Sequence, residues 1–162
     1  MKKFNKYNPI KISFIVSIIS ILYSIISYEI LSLFKINDIG GFVFKNNIQK
    51  FLISTILGPI FETFFFQFII YYILKFIYQE FPKKILNPRF FNAIYIITSS
   101  ILFAISHTYS NWYIILMILP GALLSYMFIF FKENKQNAFI YTSLIHFFHN
   151  FFVFLLEYFK IY

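Results

Sequence analysis

The sequence predicts an all-α protein, a polytopic bundle of about five transmembrane helices, and three observations carry that prediction. Of 162 residues, 60% are hydrophobic and 12% charged, where soluble domains carry about 25% charge; mean hydropathy is +0.74. The apolar residues gather into five runs, each near the roughly 20 residues that cross a bilayer core as a helix. Turn formers and lysines collect between the runs. The length leaves room for a single membrane domain, 1–162, with a motif-bearing core at about 51–159, and for no soluble catalytic domain.

The first run, about Ile10 to Phe34, follows a basic start with Lys2, Lys3, Lys6 and Lys11. It is too long for a signal peptide and ends without a small-x-small cleavage site, so it reads as a retained span. Glu29, near its far end, is expected to snorkel to the interface. Asn37, Asp38, Gly40, Gly41, Asn46 and Asn47 form a turn-rich break. A second run covers about Phe51 to Tyr78, then a polar loop holds Pro82, Lys83, Lys84, Pro88 and Arg89. The third covers about Phe90 to His107, and His107-Thr-Tyr-Ser-Asn111 is a short polar break. The fourth, about Trp112 to Phe131, contains Pro120-Gly121, which predicts a kink. After Lys132-Glu-Asn-Lys-Gln136, the fifth runs from about Ala138 to Phe159.

The charge is lopsided, 14 Lys and Arg against 6 Asp and Glu. The lysines lie beside and between apolar runs and form no stripe, which argues against nucleic acid and for anchoring to anionic head groups of the lipid bilayer. An N-terminus on the cytoplasmic side places 10 of the 14 cations inside (residues 2, 3, 6, 11, 75, 83, 84, 89, 132, 135) and 4 outside (35, 45, 50, 160), as the positive-inside rule requires. Heavy use of Lys, Ile, Phe, Asn and Tyr suggests an AT-rich bacterial genome, so a bacterial plasma membrane is the expected location. With no cysteine, disulfides, thiolate catalysis and Cys-based metal sites are excluded.

Four polar side chains stand inside the apolar runs: Glu62, His107, His146 and Asn150. An ionisable group at the centre of a span costs about 2.5–3.5 kcal/mol on insertion scales, and such groups usually serve function. Glu62, in Gly58-Pro-Ile-Phe-Glu-Thr-Phe-Phe-Phe-Gln67, lies about 16 Å into its span by helical rise, where only a protein cavity supplies water. Thr63 and Gln67 are four apart and share a helix face. In Phe103-Ala-Ile-Ser-His107, the aromatic ring and the imidazole are also four apart, as are His146 and Asn150, with His149 one step around. A carboxylate and imidazoles on separate spans, with an amide beside one of them, are the parts for activating water and stabilising an oxyanion. The same Glu62, His107 and His146 would also suit a divalent metal such as zinc, although there is no His-Glu-x-x-His. Each group could instead be interhelical polar glue.

The order of a Glu motif, then Phe-x-x-x-His, then His-x-x-x-Asn, each in its own apolar segment, resembles the CPBP family of intramembrane proteases. These are relatives of the CAAX prenyl endopeptidases, also called the Abi or bacteriocin-processing family. The resemblance covers about Gly58 to Phe152, including the small-residue stretch Pro120-Gly-Ala-Leu-Leu-Ser125. It implies an intramembrane glutamate-type peptidase in which Glu62 and His107 activate water while His146 and Asn150 hold the tetrahedral oxyanion. Family members commonly carry a second glutamate where this chain has Thr63 and an arginine where it has Gln67. That exchange is charge-balanced, and the neutral pair is expected to replace an ion pair by a hydrogen bond. Phe103 and His149 are supporting residues on this reading.

The expected partner is a peptide or protein substrate within the membrane. Family members are described both as metallopeptidases and as metal-independent, so a zinc cofactor stays open. Two rival functions remain at this level: a non-catalytic bacteriocin-immunity or scaffold protein of the same fold, and a small transporter or proton relay. Helical rise also sets a difficulty, because it leaves His107 roughly 14 Å from mid-membrane, near the outer end of its span. The break from His107 to Asn111 is therefore expected to dip into a polar cavity, lined by protein as irregular backbone at depth must be.

Overall fold

Asparagine and serine caps decide where the helices start. In the computed structural model, which describes residues 7–36, 41–80 and 87–161, five helices are long and apolar enough to cross a membrane. They are α1 (Pro9–Leu33), α2 (Asn47–Gln79), α3 (Pro88–Ile105), α4 (Asn111–Glu133) and α5 (Ala138–Tyr158). The side chains of Asn8, Asn46, Asn87, Ser110 and Asn137 each accept a backbone N–H from the first turn that follows, satisfying donors a helix start leaves open. Pro9 and Pro88 sit at first helical positions, where a missing N–H costs nothing. The turn residues Asn37, Asp38 and Gly40, the loop residues Pro82, Lys83 and Lys84, and the basic residues Lys2, Lys3 and Lys6 lie outside the described residues.

Three helices stop in the same way. Lys35, Lys135 and Lys160 have φ of 61°, 57° and 55°, and the residue after each donates its N–H to a carbonyl five back, Ile36 to Leu31, Gln136 to Phe131 and Ile161 to Leu156. This is the Schellman closure, here with lysine in the left-handed position that glycine usually fills. A cation at that point also suits the negative end of the helix dipole.

Helix α2 is not uniform. Residues Phe51–Leu57 and Thr63–Ile69 are wound as π-helix, flanking an α-helical turn at Gly58–Glu62. The Gly58 N–H reaches back five residues to Ile53 O. Ser54 O would ordinarily take the Gly58 N–H, and at π spacing its partner would be residue 59, a proline without N–H. Asn150 on α5 fills that role, its Nδ2 donating to Ser54 O at 2.7 Å. Pro120 does the same on α4: it strips Leu116 O of its helical donor, and Tyr23 OH on α1 donates to that oxygen at 3.0 Å. Prolines are tolerated at depth because side chains of neighbouring helices satisfy the carbonyls they free. α4 runs as one helix through Pro120-Gly121.

Packing is inverted relative to a soluble protein. Ile15, Ile19, Leu22 and Ile26 of α1 face outward, whereas Ser13 and Ser17 are completely buried, and Ser13 Oγ donates to Tyr141 O on α5. The core lies between α3, α4 and α5, around Tyr95, Phe103, Phe128, Phe131 and Ile145. Ser99 Oγ donates to Phe66 O and lies 2.6 Å from Ser125 Oγ, and Tyr95 OH donates to Gln67 O. Gly121 permits the close crossing of α3 and α4: a Cβ there would stand 3.0 Å from Ser100 Cα and 3.0 Å from Phe103 Cδ1. Small residues at such crossings let backbones approach where lipid supplies no hydrophobic drive.

Candidate active site

Three helices deliver one polar group each to a single point. Glu62 comes from the α-helical turn between the two π segments of α2, His107 from the turn after α3, and His146 from the middle of α5. Glu62 Oε2 lies 3.6 Å from His107 Nε2 and 3.7 Å from His146 Nε2. It is buried and has no hydrogen-bond partner within the protein. Gly58, one turn before Glu62, keeps the approach open, since a Cβ there would be 3.0 Å from Ile53 O and 3.5 Å from Glu62 Oε1.

His107 is held by two aromatic rings and by hydrogen bonds at one edge. Its ring packs against Phe103 at 4.7 Å between centroids and stacks on Tyr113 at 5.8 Å. Its Nδ1 is 2.7 Å from Phe103 O and 3.2 Å from Ser106 Oγ. A carbonyl only accepts, so Nδ1 carries the proton and a neutral ring turns the Nε2 lone pair toward Glu62. Phe103 also touches His146, at 5.8 Å between centroids, so one aromatic ring spaces the two imidazoles. The four-residue spacing of Phe103 and His107 thus places both in the site.

The groups border a cavity of about 510 Å³ whose lining also includes Tyr23, Ser24, Tyr109, His149 and Asn150. His107 and Tyr109 belong to the short break after α3, which therefore lies beside the cavity at the level of Glu62. The axial offset expected from helical rise disappears for a structural reason. α3 has 18 residues whereas α2 has 33, so the break after α3 lies well below the ends of its neighbours.

Two expectations fare differently. Asn150 shares a face with His146, yet one of its amide hydrogens is committed to Ser54 O. Thr63 and Gln67 do not form the expected hydrogen bond: both are completely buried, and Thr63 Oγ1 and both amide atoms of Gln67 have no partner. Neither residue lines the cavity. The π winding from Thr63 onward alters the angular relation that an ideal α-helix would give residues four apart. His149 lines the cavity with a buried, unpartnered Nδ1.

Residues not singled out from the sequence also border the cavity. Tyr113 and Tyr109 surround His107, and an ion pair joins Lys50 of α2 to Glu157 of α5. The Tyr residues in and just after the polar break were the available signal; Lys50 and Glu157 are 107 residues apart and gave none. As for a metal, among the described residues no set of three or more His, Cys, Asp or Glu side chains is arranged to hold one.

The family model for the type II CAAX prenyl endopeptidases, Rce1-like, matches residues 44–152, two thirds of the chain. The chain belongs to this family. No curated protein and no solved structure matches it. The Rce1-like match takes in the whole of α2, α3 and α4, runs into α5 past Asn150, and so contains Glu62, His107 and His146. It leaves out α1, the helix that supplies Tyr23 and Ser24 to the cavity wall. This member of the family is a multi-pass membrane protein built on five spans.

Proposed function

We propose that the protein is an intramembrane endopeptidase that hydrolyses a peptide bond with water activated by Glu62 and His107. The observation that carries this reading is the placement of Glu62 Oε2 within 4 Å of both His107 Nε2 and His146 Nε2 at a cavity in the membrane interior. One water hydrogen-bonded to Glu62 Oε2 at about 2.8 Å also reaches His107 Nε2.

In the reaction, the water oxygen attacks the scissile carbonyl carbon while its proton passes to Glu62. The Nε2 lone pair of His107 accepts a hydrogen bond from the second hydrogen, which stays on the attacking oxygen, and fixes the direction of attack. The carbonyl oxygen becomes an oxyanion, which takes a hydrogen bond from His146 Nε2–H and one from the Asn150 amide hydrogen not used by Ser54. Nothing holds a proton on His146 Nδ1, so Nε2 is free to carry it. Collapse of the intermediate breaks the C–N bond, and Glu62 returns its proton to the leaving amine.

The decisive experiment compares membrane-associated peptides in cells expressing the intact chain or Glu62→Gln. Loss of shortened products and build-up of their precursors in Glu62→Gln is the expected result. Identical peptide pools, with the protein's phenotype retained, would mean that the fold serves as an immunity or scaffold protein.

A further inference from the structure

Hydroxyls inside the spans commonly turn back onto their own helix. Ser17, Ser24, Ser54, Ser100 and Ser125 each donate to a carbonyl three or four residues earlier, the nearest acceptor open to a hydroxyl away from water. Thr63 on α2 and Thr142 on α5 do not. Both are completely buried, as is Gln67. Among the described residues Thr63 Oγ1, Thr142 Oγ1, both amide atoms of Gln67 and His146 Nδ1 have no hydrogen-bond partner.

The register of α2 against α5 brings these atoms to one level. The two helices are antiparallel: Ser54 bonds Asn150, Glu62 approaches His146, and Phe64 and Phe68 both meet the Phe139 ring. Continued between those contacts, the register sets Thr63 opposite Thr142, one turn before His146, and Gln67 opposite Ala138, a small and buried residue. α3 and α4 close the space, where Tyr95 OH donates to Gln67 O and Ser99, bonded to Phe66 O, meets Ser125. Thr63, Gln67 and Thr142 do not border the large cavity, so a second polar site stands behind His146, whose Nε2 edge faces Glu62.

Five polar atoms left unpaired at this depth would each carry their full desolvation penalty, and lipid offers nothing to relieve it. A buried water makes about three hydrogen bonds, so about two waters serve all five atoms. The ionised Glu62 carboxylate only accepts and favours the imidazole proton on His146 Nε2; Nδ1 is then an acceptor in need of a donor.

We propose that about two water molecules bind in the bundle centre between Thr63, Gln67 and Thr142, and that one of them donates to His146 Nδ1. The water keeps the imidazole proton on Nε2. Thr63, Gln67 and Thr142 are positioning residues that act on His146 through it. That the Nε2 proton serves an oxyanion rests on the peptidase reading; the water site and the tautomer do not.

Solid-state NMR of the full chain in proteoliposomes, with isotope-labelled threonine and histidine, tests this, each signal being assigned by the variant that removes it. Polarisation should pass from water to the Thr63 and Thr142 side chains, and His146 should show a protonated Nε2 and a bare Nδ1. The double variant Thr63→Val with Thr142→Val keeps the shape and removes both hydroxyls, so its His146 signal should split between two tautomers. Thr63→Ser with Thr142→Ser should restore the single form. Absence of transfer from water to either threonine in the unsubstituted chain overturns the proposal, as does a proton on His146 Nδ1 or a single tautomer surviving in the valine variant. The first two readings use the unsubstituted chain and stand even if the valine variant fails to fold. None needs turnover: unchanged peptide pools in Glu62→Gln would remove the oxyanion role and leave the water site to be decided by these spectra.

Discussion

Glu62 Oε2 and His107 Nε2 stand 3.6 Å apart, although 45 residues and the polar loop at 81–87 separate them and the rise along their helices placed them at different depths. A shared water needs both groups, so their effects should not add. Glu62→Gln and His107→Ala are each expected to lower cleavage by about 10²–10⁴-fold, and the double variant should be little worse than the poorer single one. Initial rates of product formation in a reconstituted preparation would measure this; additive losses would place the two residues in separate steps.

Cleavage should withstand chelation. Because Glu62, His107 and His146 are not arranged as a metal-holding set, activity of the purified protein is expected to be unchanged after prolonged treatment with a strong chelator. Inactivation reversed by added zinc would instead assign those three residues as ligands.

Asn150 and Tyr23 perform the same structural task for two prolines, with different consequences. Asn150→Ala leaves Ser54 O without its donor, at a cost of about 1–3 kcal/mol for a buried unsatisfied group. Tyr23→Phe releases Leu116 O, and interhelical hydrogen bonds in membranes average about 0.6 kcal/mol. Both should lower the unfolding midpoint in detergent. Only Asn150→Ala should also abolish turnover at temperatures where the variant is fully folded, since its second amide hydrogen serves the oxyanion.

Gly121→Ala should damage the site from a distance. The added Cβ meets Ser100 Cα and Phe103 Cδ1 at 3.0 Å and Ser100 O at 3.1 Å, and two of these three atoms are backbone that cannot step aside. Overpacking of this kind costs about 1–3 kcal/mol. Because Phe103 spaces His107 from His146, activity should fall further than stability does. Gly121→Ser, which is no smaller, should behave likewise, whereas Ala122→Ser, one position along the same helix, serves as the control.

How much of this was legible beforehand depends on the range of the interaction. Capping is local: Asn8, Asn46, Asn87 and Asn137 each bond a residue two or three positions on, so the starts of four helices could be read to within a few residues. The i, i+4 relations within Phe103–His107 and His146–Asn150 are equally local, and they carried the family resemblance. The Thr63–Gln67 hydrogen bond was argued from the same rule and did not form, because winding changes at Thr63 and nothing in the run Thr-Phe-Phe-Phe-Gln announces it.

The sequence by itself determined five spans and the four polar residues that lipid would otherwise reject, because transfer free energies depend on nearest neighbours along the chain. The tertiary structure alone decided where those residues meet. A short α3 against a long, partly π-wound α2 brought His107 level with Glu62, and the carbonyl left open by Gly58 and Pro59 became the anchor for Asn150. Depth is set by how helices of unequal length pack side by side, a relation between segments that no single segment records.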